Sequence, residues 1–197
     1  MESEHTLTES KKRRLEIFLL PVIASLIFIV DQVSKHFVVT GLAVGESWDI
    51  AAWTAPVLSI THVTNTGVAF GMFQHLNTVF IVLNLIVMVI IVLYYRQLPA
   101  GEWFMRVSLS LAMGGAAGNW IDRLRFGSVT DFIDVNFWPF HNFPIFNVAD
   151  SCILIGVTLM AGYLWWEERH AQQEIETPVA EAPGSGIRGA EEASLYD

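Results

Sequence analysis

The chain has 197 residues, of which 53% are hydrophobic and only 16% are charged, with a mean hydropathy of +0.45. An ordinary soluble domain has about a quarter of its residues charged, so this composition is that of a membrane protein. The single cysteine, Cys152, excludes an internal disulfide framework and a cysteine-based zinc site. The net charge of −9 comes mostly from Glu167 onward, with eight acidic and two basic residues, so it says little about a substrate.

The composition divides the chain into three parts. Residues 1–14 predict a cytoplasmic N-terminal segment, residues 15–166 a four-helix membrane domain, and residues 167–197 a disordered acidic cytoplasmic tail. The first segment ends in the basic run KKRR, directly before the first apolar stretch. A secretory signal peptide would also begin in this way, but no small-residue cleavage site follows the apolar stretch.

Four apolar segments predict membrane-spanning helices, at residues 15–30, 78–95, 103–120 and 151–166. The first is short for a span, so we expect its helix to continue through Asp31 and Lys35. With both termini in the cytoplasm, the inner flanks hold seven Lys and Arg residues and the outer loops three, which favours this topology. Asp31, Asn119 and Asp150 then lie near the outer face, although they are far apart in sequence.

Two segments between the helices predict structure at the outer surface. Residues 57–65 are rich in β-branched residues and alternate in character, which predicts a strand of a small sheet. Trp48 and Trp53, which precede it, suit a membrane–water interface. Residues 127–147 carry six Phe and Trp side chains and are interpreted as an aromatic segment lying at the same interface.

Asp131 and Asp150 are the candidate catalytic residues. Ionisable groups at the edge of a hydrocarbon layer are costly and indicate a functional site. Two carboxylates in a water-poor site share a proton, so one can activate water while the other donates a proton to a scissile carbonyl. A helix N-terminus favours charge on Asp150 and makes it a plausible base. The alternative for Asp150 is a capping role, since Asn147 three residues earlier is a suitable N-cap.

Further polar residues lie in the same regions. Gly115, Asn119 and Arg123 are spaced four apart and share one helix face. Asn119 is suited to holding a peptide carbonyl, and Arg123 to orienting a loop or pairing a carboxylate. The alternatives for Arg123 are an interfacial anchor and a partner for Asp122. Asp31 and Lys35 have the spacing of an intrahelical ion pair, and Asn65 and Asn147 the context of a turn and a cap.

Other functional classes remain open on these residues alone. A carboxylate–histidine metal site would draw on His36, His62, His75 and His141, although none of them forms an HExxH or HxxxH pair. Ser34 beside Lys35 keeps a serine–lysine protease open. A small transporter or channel would use the polar cluster to bind an ion or solute, but the chain has no internal repeat. A non-catalytic scaffold leaves Asp131 and Asp150 unexplained.

Five ordered motifs resemble those of the lipoprotein signal peptidases, also called signal peptidase II. The motifs are DQVSK at 31–35, NTGVAF at 65–70, GGAAGNWIDR at 114–123, VTDF at 129–132 and FNVAD at 146–150. The resemblance implies a four-helix bundle with an outer-face β-cradle and a short interfacial helix. It implies that Asp131 and Asp150 are the catalytic dyad. It also implies that the supporting residues of the site include Asp31, Lys35, Asn65, Gly115, Asn119, Arg123 and Asn147.

The resemblance also implies an activity and a location. Such an enzyme removes the signal peptide from diacylglyceryl-modified prolipoproteins, just before the lipidated cysteine, without a metal or another cofactor. We therefore expect the prolipoprotein signal peptide and membrane lipid as partners, no nucleic acid, and a monomer. The location would be the bacterial cytoplasmic (inner) membrane, with the active site near its outer, periplasmic face. We further expect the Gly114/Gly118 face to receive the apolar signal peptide and the aromatic segment to cover the site.

Overall fold

The computed structural model describes residues 16–67, 76–140 and 143–176, with side chains as far as residue 172. His75 and His141, two of the candidate metal ligands, lie outside these ranges. The chain divides into two compact units, Met1–Tyr163 and Leu164–Asp197. The predicted sites all belong to the first unit.

Four long helices form most of the described structure. They are α1 (Leu19–Gly41), α2 (Asn77–Gln97), α3 (Trp103–Phe126) and α4 (Val148–Glu176). Three of them, α1, α2 and α4, are long and apolar enough to cross a membrane. The continuation of the first helix through Asp31 and Lys35 is confirmed, since α1 ends at Gly41. These helices confirm three of the predicted spans.

Helix α3 is different because protein, rather than lipid, covers much of it. It has 24 residues, but small and polar side chains dilute its hydropathy, and half of its residues are buried. Gly114 lies against Ala24 and Ile27 of α1, while Gly115 lies against Ala149 of α4. Trp120 donates its indole N–H to the Ile81 carbonyl of α2. The helix is therefore packed among the other three, which explains why its hydropathy is low.

A three-stranded antiparallel sheet lies at the end of the bundle where α1 and α3 finish and α4 begins. Its strands are β1 (Ser47–Trp48), β2 (Leu58–Asn65) and β3 (Val129–Val135), in the order β1-β2-β3. Strand β2 confirms the predicted strand at residues 57–65. Strand β3 was not predicted: within residues 127–147, which were predicted to lie at the interface, the segment VTDFIDV pairs along β2. The described residues between α3 and α4 contain no helix, so the expected short interfacial helix is not found there.

The pairing of β2 with β3 contains one irregularity. Ile60 lies opposite Ile133 and Val63 opposite Asp131, so three steps along β2 match two steps along β3. One extra residue is thus accommodated as a β-bulge at Thr61–His62. From Val63 onward the pairing is regular again, and Asn65 lies opposite Val129.

The apolar core lies at the other end of the bundle, around the start of α3. Its buried members are Ile91, Tyr95, Leu98, Met105, Leu109 and Met113. Arg106, only 1% exposed, donates to the Leu98 and Pro99 carbonyls over 2.8 and 3.0 Å. Its Nε lies 3.2 Å from a carboxylate oxygen of Glu16, an ion pair without hydrogen-bond geometry. This polar cluster holds together the start of the chain's described part, the end of α2 and the start of α3.

The second unit begins within α4, which remains helical as far as Glu176. Residues 167–176 are therefore helical and not part of a disordered tail, which corrects the predicted boundary. The polar residues there continue the helical hydrogen bonding of the apolar segment before them. The rest of the predicted tail, residues 177–197, lies outside the described residues.

Candidate active site

Asp131 lies on β3 and is only 2% exposed. Its two carboxylate oxygens accept hydrogen bonds from two asparagine side chains. Asn65, on the neighbouring strand β2, donates over 2.9 Å, and Asn147, just before α4, donates over 2.6 Å. Asn65 is itself held in a turn, because its oxygen accepts the Gly67 main-chain N–H over 3.0 Å.

Asp150 lies in the first turn of α4, where its carboxylate also accepts two hydrogen bonds. The Asn119 side chain of α3 donates to one oxygen over 2.7 Å, and the main-chain N–H of Asn147 donates to the other over 3.2 Å. In return, the Asn147 side-chain oxygen accepts the Asp150 main-chain N–H over 2.9 Å. This reciprocal pair has the geometry of a capping box. The predicted capping role is thus present, together with a contact to α3 that capping does not require.

Asn147 joins the two carboxylates. It is fully buried, and it donates to Asp131 through its side chain and to Asp150 through its main chain. Its side-chain nitrogen also lies 3.2 Å from the Asn119 oxygen. Residues 131 and 150, nineteen positions apart, are therefore brought to one place by a strand, a helix start and a shared asparagine.

The surroundings of Asp131 change its acidity. Burial raises the pKa of Asp131 from 3.8 to about 6, and the negative charge of Asp150 acts in the same direction. The hydrogen bonds from Asn65 and Asn147 and the charge of Lys35 oppose this rise in pKa. A carboxyl group with a pKa of about 6 is protonated in about half of the molecules at pH 6 and in about a tenth at pH 7, and general acid catalysis requires this protonated form.

A buried ionic cluster supports the site from α1 and α3. The Lys35 ammonium lies 2.8 Å from Asp31 and 2.9 Å from Asp122, and it donates to Asn119 over 3.0 Å. All three ammonium donors therefore have acceptors. Gln32 completes the cluster by donating to Asp122 over 2.9 Å and to Asp31 over 3.2 Å. The predicted Asp31–Lys35 pair is present, but it is one part of a larger network.

Asp122 and Gln32 are the members of this network that sequence reasoning missed. The sequence suggests Asp122 only as a partner for Arg123, yet it is 2% exposed and bound to Lys35. A usable signal was its spacing, because it follows Gly118 by four residues and so lies on the face of α3 that approaches α1. Gln32 adjoins Asp31 in the DQVSK motif, which gave no separate indication of its contacts.

Three glycines of α3 allow this close approach. A Cβ added at Gly118 would meet the Asp31 carboxylate, and one at Gly114 would lie 2.7 Å from the Ile27 Cβ. Gly115, a predicted site residue, faces the Ala149 carbonyl. A Cβ added there would meet this carbonyl and lie 2.8 Å from the Ile153 side chain. The Gly114/Gly118 face is therefore occupied by α1, and the expectation that it receives a substrate helix is wrong.

Arg123 lies at the edge of the site and does not pair with Asp122, which accepts instead from Lys35, Gln32 and the Thr130 main-chain N–H. One of its terminal nitrogens donates to the Gly67 carbonyl over 3.2 Å, and the guanidinium lies 5.6 Å from the centre of the Phe80 ring. Arg123 thus links the end of α3 to the loop after β2, as the loop-orienting interpretation predicts.

The serine–lysine alternative does not fit this geometry. Ser34 donates its hydroxyl to the Asp31 main-chain carbonyl over 2.8 Å. Lys35 directs its ammonium to Asp31, Asp122 and Asn119, and the Ser34 hydroxyl is not among its partners. Of the candidate metal ligands, His62 binds the Leu42 carbonyl and His36 is exposed on α1.

Comparison with known proteins gives the family. The family model described as signal peptidase (SPase) II matches residues 23–166. The chain belongs to the signal peptidase II family. The lipoprotein signal peptidase of Moorella thermoacetica is 40% identical over 143 residues, which cover 73% of this chain and 90% of that protein. The one from Staphylococcus haemolyticus is 37% identical over 146 residues, covering 74% and 90% of the two proteins.

Solved structures agree with the family. A structure described as a bacterial membrane enzyme at 2.3 Å resolution is similar with a TM-score of 0.65 and 33% identity, covering 83% of this chain and 93% of that one. A second, at 1.9 Å resolution, has a TM-score of 0.64 and 36% identity, covering 73% and 90%. Together with the three apolar helices, these similarities make this signal peptidase II family member a multi-pass membrane protein and a protease.

Proposed function

We propose that this chain is an aspartic endopeptidase that removes the signal peptide from diacylglyceryl-modified prolipoproteins, cleaving before the lipidated cysteine. Asp131 and Asp150 are its catalytic pair. The observation that carries the proposal is the sharing of Asn147, which binds both carboxylates at once. Membership of the signal peptidase II family supports the substrate class.

The two carboxylates have different surroundings, which gives them different roles. Asp150 lies at the N-terminus of α4, where the helix dipole favours a negative charge, so it acts as the base. Asp131 holds the proton, because burial and the neighbouring charge raise its pKa to about 6. Asp150 takes a proton from water as the water oxygen attacks the scissile carbonyl carbon. Asp131 gives its proton to the carbonyl oxygen, and a tetrahedral diol forms.

The second half of the reaction returns both protons. As the carbon–nitrogen bond breaks, Asp150 gives its proton to the leaving amine, and Asp131 takes one back from a hydroxyl of the diol. Asn65, Asn119 and Asn147 hold the two carboxylates in position through this cycle. Lys35 fixes Asn119, and Arg123 binds the Gly67 carbonyl just after β2. These groups position the dyad rather than exchange protons.

We further propose that α3 is the fourth span and that both termini are cytoplasmic in the bacterial inner membrane. With 24 residues, α3 is roughly 36 Å long, which exceeds the roughly 30 Å of a hydrocarbon core. The basic run before α1 supports a cytoplasmic N-terminus. Trp53 and Trp138, both at least 80% exposed near the sheet, support contact with membrane lipid at the outer face. The proposed enzyme acts as a monomer and has no nucleic-acid partner.

The proposal is tested by replacing Asp131 and Asp150 separately by Asn and measuring cleavage of a lipidated precursor. Each variant should insert and fold, yet lose at least about 100-fold in rate, because each carboxylate transfers a proton. Asp134→Asn is a matched control on the same strand, since Asp134 faces away from Asp131 and binds Thr61. Near-normal cleavage by either dyad variant would refute the aspartic mechanism. Loss of wild-type cleavage on adding a chelator would point instead to a metal site.

A further inference from the structure

Two hydrogen bonds show that the bulge in β2 determines which residue faces Asp131. Thr61 donates to Asp134 over 2.8 Å, and Asn65 donates to Asp131 over 2.9 Å. Asp131 and Asp134 are three residues apart and point to opposite faces of β3. In a regular strand, however, Thr61 and Asn65 would share one face, because they are four residues apart. Both bonds are possible only because of the extra residue between Ile60 and Val63.

His62 occupies the bulge and is held by the turn that follows α1. Its main-chain N–H donates to Glu46 over 3.0 Å, and its carbonyl accepts from Gly45 over 2.8 Å. Its Nδ1 lies 2.9 Å from the Leu42 carbonyl. A carbonyl oxygen only accepts, so Nδ1 carries the proton and donates. His62 is 4% exposed, and its Nε2 has no hydrogen-bond partner within the described residues.

The turn that holds His62 is itself bonded to the last turn of α1. The Leu42 main-chain N–H donates to Val38 over 2.9 Å and closes the helix, so the Leu42 carbonyl has a defined position. The side-chain bond of His62 to that carbonyl therefore ties the extra residue of β2 to the end of α1, and not to β3.

The alternative register would change the active site. If the pairing continued regularly from Ile60 opposite Ile133, Thr64 would lie opposite Val129, where Asn65 now lies. Thr64 is exposed in the present register, on the face away from Asp131. Its side chain is shorter than that of asparagine and lacks the carboxamide, so a slip of one residue would remove a donor from Asp131.

We propose that His62 is a positioning residue, which fixes the bulged register of β2 and thereby places Asn65, rather than Thr64, beside Asp131. The inference rests on the proposed function, because the effect on catalysis passes through Asp131. Asp150, Asn119 and Lys35 do not depend on the register of β2, since they lie on helices.

The first test separates the two nitrogens of His62. His62→Leu removes both and should lower kcat at least 10-fold, the scale of one hydrogen bond to a charged group. His62→Asn keeps a donor near the Nδ1 position and should retain most of the wild-type kcat. His62→Gln places its amide near the Nε2 position, which has no partner among the described residues, and should resemble His62→Leu. His36→Leu makes the same change at an exposed helix position and should leave cleavage unchanged.

The second test is a suppressor with a pH readout. Cleavage requires the protonated form of Asp131 and should therefore decrease as the pH rises. The Asn65 hydrogen bond lowers the pKa of Asp131, so its loss in His62→Leu should move this decrease to higher pH. In the slipped strand, Thr64 takes the place of Asn65. Adding Thr64→Asn to His62→Leu should therefore restore both kcat and the pH profile. Thr64→Asn alone changes an exposed position and should have little effect.

The outcomes are distinct from those for the dyad. Wild-type kcat and pH profile in purified, folded His62→Leu would overturn the role of His62, as would a loss that Thr64→Asn leaves uncorrected. If Asp131→Asn cleaves normally, the proposed function itself fails. If the Asp131→Asn variant is inactive while the His62→Leu variant is fully active, the dyad stands and the positioning role of His62 is refuted.

Discussion

Lys35 donates a hydrogen bond to Asn119 over 3.0 Å, and this bond determines which way the Asn119 carboxamide is turned. An ammonium group only donates, so it meets the amide oxygen, and the amide nitrogen faces Asp150 at 2.7 Å. Asn147 is turned in the same way, because its oxygen accepts the Asp150 main-chain N–H and its nitrogen faces Asp131. Groups outside the dyad thus ensure that both carboxylates receive donors.

Replacing Lys35 by Met should abolish cleavage and strongly destabilise the protein. The substitution keeps much of the side-chain volume but leaves Asp31 and Asp122, both at most 2% exposed, without their cation. Removing one partner of a buried ion pair costs about 3–5 kcal/mol. Thermal unfolding in detergent and cleavage of a lipidated precursor measure the two effects. Arg125→Met, at an exposed position in the last turn of α3, is the control and should change neither.

Cleavage should decline as the pH rises through about 6. Burial, and then the charge of Asp150, raises the pKa of Asp131 to about 6, and above that value the pair loses its shared proton. The profile of kcat/KM against pH reports this group in the free enzyme. Asn65→Ala removes a bond that lowers this pKa, so the decline should move to higher pH. Asp134→Asn should leave it in place, and a downward shift in Asn65→Ala would contradict the assignment.

The same group should give stability a pH dependence of defined sign. The folded-state pKa of Asp131 lies above its ordinary 3.8, so the folded protein binds this proton more tightly than the unfolded chain. The contribution is present below about pH 4 and is lost as the pH rises through about 6. Relative to wild type, Asp131→Asn should therefore gain up to about 3 kcal/mol between pH 4 and 7, measured by denaturant unfolding. A difference that is constant with pH would show that Asp131 does not titrate in this range.

The sequence predicted the parts of the site in which charge conflicts with an apolar setting. Asp131 and Asp150 stand out because each lies among apolar residues at a helix or strand boundary, and Asn119 and Asn147 because they flank glycines or caps. Asp122 does not stand out in this way, since it follows the predicted span at 103–120 and precedes an arginine. Only the pairing of α1 with α3, which is a tertiary contact, reveals its burial.

The fold was predictable to a similar extent and for similar reasons. The apolar helices and β2 follow from local periodicity. Strand β3 was missed because VTDFIDV does not alternate between apolar and polar residues, and it is recognisable as a strand only from its pairing with β2. The bulge at His62 depends on that pairing as well. Register is a relation between strands and has no signal in either strand alone.

Gly115→Ala should impair the enzyme through the position of α4. The added methyl group would meet the Ala149 carbonyl and lie 2.8 Å from Ile153, so α4 must move, and Asp150 is the next residue of its first turn. Overpacking of this kind costs about 1–3 kcal/mol. Gly162→Ala is the matched control, since no described residue outside its own helical turn lies within 4 Å of the added atom and helix propensity favours Ala. Equal unfolding temperatures and cleavage rates for the two variants would refute this packing role.

Arg106→Met should lower stability while leaving the chemistry intact. Arg106 binds the Leu98 and Pro99 carbonyls and faces Glu16, so its loss leaves buried acceptors without a donor, at a cost of about 3 kcal/mol or more. It lies 16 residues before Asp122 on α3, roughly 24 Å along the helix axis, so the dyad should keep its geometry.

Lys35→Met is the variant to compare with Arg106→Met, since both remove a buried cation from the same bundle. Unfolding temperature and kcat are measured for each, with kcat taken well below the unfolding transition. Arg106→Met should keep kcat within about threefold of wild type, whereas Lys35→Met should lose it, because only Lys35 holds Asn119 against Asp150. A tenfold or greater fall in kcat for folded Arg106→Met would correspond to about 1.4 kcal/mol of coupling between the two ends of the bundle.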